Sequence, residues 1–423
     1  VSQAATRTDT LTAAQITKYQ SEFLSYFKER TFLRQFGQPA PVPDGTGKTV
    51  DWYRYHPLAK KTSADSEGLT SYTYKSYLGM NITASLEEWG DQVSFSMLHW
   101  HTSRDRHLTK AVDTLSQQAA ESIEGEILRQ IVRGGILPLH PKAVTSLGVV
   151  SASWLAQNVK LLSATSTTAI RLSNSMVGLS GKAVNDAFNG GWIVVQHGAG
   201  YGHGSRIADY ASANLVVTLS TALPETPQSS GNTNPTQVTL VSPFYEALTA
   251  SETLHVALLQ KALEILRKSG AKPFDDGYYA GLMSPEIETQ MMSDRVWKEQ
   301  AYRASYGKEQ GYTGAKLDTM IWNGIRWFRM TNGPRFVTTA KTMNAMSQTS
   351  GNVFLTMILG QDSFGVPAIE SMAEPVFSVK VPAPNDQNTA NPRNSFGTHA
   401  WNLWWKVKPL NANFNVGIFS YAA

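Results

Sequence analysis

The chain contains no cysteine. Disulfides, thiolate nucleophiles and cysteine-held zinc or iron–sulfur centres are therefore excluded together. Charge is scarce as well: Asp, Glu, Lys and Arg make up 17% of 423 residues, and the formal net charge is only +4. That balance builds no basic stripe of the kind that drives tight nucleic-acid binding, so any DNA contact is expected to be weak and non-specific. No stretch reaches the roughly 18 consecutive apolar residues that a membrane-crossing helix needs. The opening VSQAATRTDTLTAAQ lacks the basic-then-apolar run of a signal peptide. Together these absences predict a soluble chain made in a cytoplasm, with no membrane partner. No internal repeat is present.

What the chain has in quantity is aromatic surface, with 11 Trp and 16 Tyr. Such surface dominates both cores and interfaces. A chain of this length can bury one large core or two to three modest ones.

Residues 12–30 predict an amphipathic helix, because Ile16, Tyr19, Phe23 and Phe27 recur at three- and four-residue steps. Its aromatic face has few evident partners nearby and is expected to pack on a neighbouring copy. The stretch from Gly37 to Gly47 breaks it. A strand over 48–55 alternates through Val50, Trp52 and, less cleanly, Tyr55. Beyond a polar tip comes a long even-numbered apolar series: Tyr72, Tyr74, Leu78, Met80, Ile82, Ala84 and Leu86. That period predicts one half-buried strand of roughly 45–50 Å, at about 3.3 Å per residue. Most strands are about 5–6 residues long, so this one is expected to project from its domain. The whole hairpin, 46–98, is read as feeding directly into a helix of about thirty residues, in which Leu108, Val112, Leu115, Ala119, Ile123, Ile127 and Ile131 step by three and four. Arg133-Gly134-Gly135 supplies the stop.

Residues 136–250 are sparsely charged and rich in Ser, Thr, Gly and Asn. They read as a loop-rich inserted segment with short strands, including 192–196 and 215–219. A helix over 251–269 follows, stopped by Gly270, and a second opens at Ser284-Pro285-Glu286. Later strands are expected at 325–330, 353–359, 401–407 and 414–421.

Several stretches suggest chemistry and fail its requirements. Gly45-Thr46-Gly47-Lys48-Thr49 has Val42 where a phosphate-binding loop needs its first glycine, and a strand follows instead of a helix. It reads as a turn. His99, His101 and His107 have no clear completing ligand set nearby and read as structural. The glycine-rich run from His197 to Gly204 places His203 where a dinucleotide fingerprint needs glycine. It reads as a flexible loop. No Gly-x-Ser-x-Gly elbow is present. No catalytic residue, cofactor or metal site is expected.

Five stretches, ordered along nearly the whole chain, carry a resemblance. They are Thr31–Gly37; Gly47-Lys-Thr-Val50 with Arg54-Tyr55, Pro57-Leu58, Glu67-Gly68-Leu69 and Glu88–Asp91; Ser284–Glu286 through Asp294 and Trp297 to Gly324–Phe328; Leu359–Gly365; and His399–Lys406 with Leu410-Asn411. In this order the chain resembles phage major capsid proteins of the N-four-like type, which have the Hong Kong 97 capsid fold. The resemblance implies an α+β fold with an N-terminal arm (1–46), an extended β-hairpin loop (47–98) and a spine helix of a peripheral domain (99–135). It further implies an axial domain with peripheral segments (251–375) and a C-terminal return to the peripheral domain (376–423). Residues 136–250 do not align with a minimal member and stand as a low-charge insertion or subdomain.

The implied function is structural: hexamers and pentamers of one chain forming an icosahedral shell around double-stranded DNA, in a virion assembled in the host cytoplasm. The extended loop would lie over a neighbouring subunit. Its tip residues Lys60, Lys61, Asp65 and Glu67, and arm residues Tyr19, Phe23 and Phe27, are the expected inter-subunit contacts. A portal protein, and scaffolding or decoration proteins, are the other expected partners. Lysine–asparagine crosslinks are not expected: Lys60, Lys61 and Lys75 lie on or near the hairpin, but nothing marks a catalytic glutamate. Two other readings compete. One is an encapsulin-like shell enclosing protein cargo; the other is a soluble enzyme with a site in 136–250 near His197 and His203.

Overall fold

The computed structural model describes residues 13–55, 79–96, 107–139, 155–164, 166–172, 185–186, 188–229, 236–241, 252–299, 320–330, 335–336, 346–347, 353–380 and 395–422. Its architecture is mixed α and β. Helix α1 (Ala13–Arg30) leads to β1 (Gln38–Val42), β2 (Thr49–Tyr55), β3 (Gly79–Ser85) and β4 (Glu87–Ser96). Helix α2 (His107–Gly134) precedes β5 (Leu137–Leu139), β6 (Leu155–Ala164), β7 (Ala169–Leu172) and β8 (Trp192–His197). Next come β9 (Gly204–Ala211), β10 (Val216–Leu219), β11 (Gln237–Val241), helix α3 (Val256–Lys268), β12 (Tyr279–Met283) and helix α4 (Pro285–Met291). The chain continues through β13 (Met320–Trp322), β14 (Ile325–Arg329), β15 (Arg335–Phe336), β16 (Met346–Ser347), β17 (Val353–Leu359) and β18 (Phe364–Ile369). It closes with β19 (Val376–Lys380), β20 (Phe396–Trp405), β21 (Lys408–Pro409) and β22 (Asn415–Tyr421). Two compact units result, each assembled from three separate segments: 1–50, 84–129 and 366–408 in the first; 51–83, 130–365 and 409–423 in the second.

The first unit is organised on β20. Its odd positions Gly397, His399, Trp401, Leu403 and Trp405 are buried while the even ones are half-exposed, the period-two signature of a strand with one covered face. β19 pairs with part of one edge of β20, and β4 pairs along its full length, from Phe396↔Ser96 to Trp405↔Glu87. This changes the reading of the hairpin. The chain leaves the pairing with β2 near Leu86, and 87–96 become the edge strand of a different sheet. Helix α2 behaves as its periodicity predicts, with Val112, Leu115, Ala119, Ile123, Ile127 and Ile131 all at most 2% exposed. Its 28 residues extend about 42 Å. The Gln118 side chain ties it to the sheet, accepting from Trp401 Nε1 at 3.4 Å and donating to the Asp91 carboxylate.

Helix α1 is docked inside this unit. Phe23 and Phe27 are 0% and 2% exposed, and Phe23 stacks on Phe377 of β19 at 5.3 Å between ring centroids. The Gln20 amide bonds the same strand in both directions, donating to Pro375 O (3.1 Å) and accepting from Phe377 N (2.6 Å). Arg30 reaches Asp113 (2.8 Å) and Ser116 Oγ (2.9 Å) on α2, and Lys28 pairs with Glu374 (2.7 Å). Glu124 of α2 accepts from the backbone N–H groups of Phe32 and Leu33, just past the helix. Phe23 and Phe27 thus find cover within their own chain, where few partners were expected. The covering strand β19 lies some 350 residues away in sequence and is invisible to a local reading.

The second unit holds an eight-stranded mixed sheet in which β17 pairs with β12, β15 and β22. β17 is buried at all seven positions, six of them apolar with Thr356 at the centre, as expected of a strand covered on both faces. Helix α3 lays Leu258, Leu259, Ala262, Leu263 and Leu266 into the same core and ends at Gly270 with φ +76°. It begins at Val256, not Ser251. Of the strands expected at 401–407 and 414–421, the first falls in β20 of the first unit and the second is β22 of the second.

The segment expected to be loop-rich contains a closed six-stranded barrel, in the order β10-β7-β6-β11-β8-β9. Val159, Leu161, Ile170, Ile193, Val217 and Leu240 are among the buried residues that fill its core. The expected strands at 192–196 and 215–219 are β8 and β10. Closure is not visible to a local reading, because it depends on which strands pair and those pairings carry register shifts. Scarcity of charge follows from the geometry, since each inward position must be apolar.

Candidate functional site: the two faces of strand β2

Strands β2 and β3 form a separate two-stranded sheet. Along β2 the pleat sends Trp52 and Arg54 to one side and Asp51, Tyr53 and Tyr55 to the other, with half-buried and exposed positions alternating. The inward series is thus Val50, Trp52, Arg54, whereas the sequence pattern had placed Tyr55 there. On β3 the even-numbered alternation holds as far as it is described: Met80, Ile82 and Ala84 are buried between exposed neighbours. Met80 and Ile82 form a small cluster with Leu410 and Trp52.

The inward face ends in an arginine with a built seat. Arg54 Nη1 donates to Leu410 O at 2.6 Å. Its guanidinium carbon lies 5.1 Å from the Tyr201 ring centroid and 5.9 Å from that of Phe414, within the range where a cation gains from an aromatic face. Desolvation lowers its pKa to about 10, with the neighbouring Tyr201 opposing the shift. Below the guanidinium is Gly202, at φ +77°, in the turn between β8 and β9. Any Cβ there would collide with Arg54 and with Asn411 Oδ1. The glycine-rich run that looked like a loose loop is a hydrogen-bonded turn: Gly202 N donates to Val195 O (2.9 Å) and Val195 N to His203 O (2.8 Å). Two resemblance-carrying motifs, Arg54-Tyr55 and Leu410-Asn411, therefore meet at this turn.

The outward face is aromatic and more than half exposed. Tyr53 and Tyr55 are 63% and 61% exposed, and their rings meet edge to face at 5.0 Å. Tyr53 also lies across Gly79 of β3, where a side chain would collide with the ring. An aromatic ring covering a strand glycine in this way shields its bare backbone.

Of the expected contact residues, Lys60, Lys61, Asp65 and Glu67 lie outside the described residues, as do 72–78 of the long strand, Lys75 and the histidines at 99 and 101. Tyr19 is half-buried on α1. The sequence singles out neither Tyr53 nor Tyr201, and it marks Arg54 only through the resemblance. The available signal was the strict alternation Trp52-Tyr53-Arg54-Tyr55, which puts two tyrosines on the face opposite Trp52. Gly45 and Gly47 take φ +80° and +109° ahead of β2, as expected of a turn. His197 and His203 flank the Gly202 turn, beside a barrel interior occupied by apolar side chains.

No family model matches the chain, and no curated protein matches it. Among solved structures, it is similar to the capsid of Ralstonia phage GP4, at 10% identity and TM-score 0.49 over 94% of this chain and 91% of that one. It is also similar to the capsid asymmetric unit of cyanophage Pam1, at 13% identity and TM-score 0.46 over 100% and 98%. A third similar structure is the virus-like particle from Pyrococcus furiosus, at 8% identity and TM-score 0.41 over 95% and 98%.

Proposed function

We propose that this chain is a major capsid protein of the Hong Kong 97 type, whose copies form hexamers and pentamers of an icosahedral shell around double-stranded DNA. The observation that carries the reading is the outward face of β2, where two adjacent tyrosines stand more than half exposed on a narrow two-stranded sheet. If each ring loses about 100 Å² to a neighbouring copy, the pair contributes on the order of 5 kcal/mol at about 25 cal/mol per Å². Repeated around a ring of subunits, such contacts add to what holds a non-covalent shell together. The phenolic hydroxyls suit a surface that is wet before assembly and partly dry after it.

In this reading the extended loop reaches a neighbour with Lys60, Lys61, Asp65 and Glu67 at its tip, and Tyr19 adds an arm contact. Portal, scaffolding or decoration proteins complete the particle, which forms in the host cytoplasm. DNA is held without sequence preference, in keeping with a net charge of +4.

The test is negative-stain microscopy of the purified protein, with nuclease-protected DNA assayed in any particles. Closed shells that protect DNA support the reading. Shells holding only protein cargo would favour an encapsulin-like compartment, and a small oligomer at all concentrations would overturn both. Deleting residues 59–68 is expected to leave a folded subunit and to block or misdirect assembly; normal full-size shells from that deletion would remove the loop from the mechanism.

A further inference from the structure

We infer that the six-stranded barrel is the seat that fixes the orientation of β2 at 51–55 within the second unit, with Arg54 as the positioning residue. The inference deepens the shell reading and rests on it for its consequence in assembly.

The barrel meets its surroundings through the hairpin of β8 and β9, and three elements of the same unit converge there. At one end, Trp192 Nε1 donates to Val132 O in the last turn of α2 (3.0 Å). Gly134 and Gly204 approach so closely that a Cβ on either would strike the other's carbonyl oxygen. Along the strand, Asn413, just before β22, donates to Val195 O (3.2 Å) and accepts from Gln196 Nε2 (2.7 Å). At the turn, Gly202 O accepts from Ala412 N (2.7 Å) while Gly202 itself lies against Arg54. Consistent with this, β8 is covered on both faces. Ile193 and Val195 point into the barrel, while Val194 joins the core of the mixed sheet.

Arg54 differs from the other contacts in being an expensive choice. Removing a guanidinium from water is unfavourable unless partners replace the water, and an apolar side chain of similar size commonly serves stability as well or better. A single directional bond to Leu410 O between two rings adds an orientation that a methionine in the same slot would not supply. The chemistry therefore favours a role in setting geometry over a role in general core stability.

The test uses the full chain with Arg54→Met, Arg54→Lys and Tyr201→Leu. Amide hydrogen exchange is read at 51–55 and in β8, β9 and β11, alongside particle morphology by negative-stain microscopy. For Arg54→Met the expected result is exchange at 51–55 faster by about tenfold or more, with barrel strands unchanged, as for a local opening. Irregular or unclosed assemblies should accompany it. Arg54→Lys should restore part of the protection. Should Arg54→Met fail to fold, Tyr201→Leu removes the covering ring without altering β2 and should shift the same amides. Unchanged exchange at 51–55 with normal shells would overturn the inference, as would faster exchange spread equally through the barrel. Failure of the unaltered chain to form shells would refute the shell reading alone, since the exchange measurement judges the seat in isolated subunits.

Discussion

Helix α1 and strand β2 each set two aromatic rings on one face, and the two faces end differently. Phe23 and Phe27 are at most 2% exposed, covered within their own unit, with Phe23 against Phe377. Tyr53 and Tyr55 stay 63% and 61% exposed. Spacing along the chain establishes which residues share a face; it says nothing about which molecule covers that face. Residue chemistry carries more of that second message. Phenylalanine has no polar handle and needs a dry partner at once, whereas tyrosine tolerates solvent until a partner arrives.

The comparison is broken most forcefully at Phe23. Phe23→Ala should destabilise the subunit by about 3–5 kcal/mol, the usual range for emptying a buried aromatic site. Chemical denaturation of unassembled protein measures it. A loss below about 1 kcal/mol would mean that α1 is held only loosely, and would return its aromatic face to the list of surfaces shared between copies.

A smaller effect is expected where the arm turns away from α2. Glu124 accepts from two backbone N–H groups, at Phe32 and Leu33. Replacing it with leucine strands both donors and should cost about 2–3 kcal/mol, whereas Glu124→Gln keeps an acceptor and should cost much less. Burial raises the Glu124 pKa, and the two backbone bonds only partly oppose the shift. An acid whose folded pKa lies above its unfolded value binds more protons when folded. Its contribution to stability is thus full below the unfolded pKa and is lost as pH rises through the folded one. Unfolding of wild type as pH rises above the ordinary carboxylate range should show that decline, and Glu124→Gln should flatten it. An unchanged slope in the glutamine variant would assign the pH dependence elsewhere.

Much of the architecture was legible wherever a single element carries its own period. The stripe of α2 from Val112 to Ile131, the strand at 353–359 and the even-numbered alternation of β3 over 80–84 all appear in the structure as expected. Features that depend on distant pairing were not legible. Arg54 meets Leu410 across 356 residues, Gln20 meets Phe377 across 357, and the barrel closes through pairings that carry register shifts. The site was half visible. Tyr55 is placed less cleanly with Val50 and Trp52 by the sequence pattern, whereas the structure puts Arg54 on that face.

The smallest expected effect on the subunit is the most informative about the comparison. In Tyr53→Ala/Tyr55→Ala both rings are removed from exposed positions of a strand whose other face keeps Trp52, Arg54 and their contacts. Exposed substitutions away from caps, cavities and special backbone are usually worth within about 0.5 kcal/mol each. The loss of the ring over Gly79 and of the edge-to-face pair adds a further part of a kcal/mol. The variant should therefore unfold within about 1–2 kcal/mol of wild type. Its self-association should fall far more, because a surface worth on the order of 5 kcal/mol at each contact would be gone. Sedimentation and microscopy at matched concentration separate the two quantities. A variant equally destabilised and equally able to assemble would place these tyrosines beside Phe23, as structural residues of their own subunit. A stable variant that remains unassembled would make the outward face of β2 the surface that copies of this chain share.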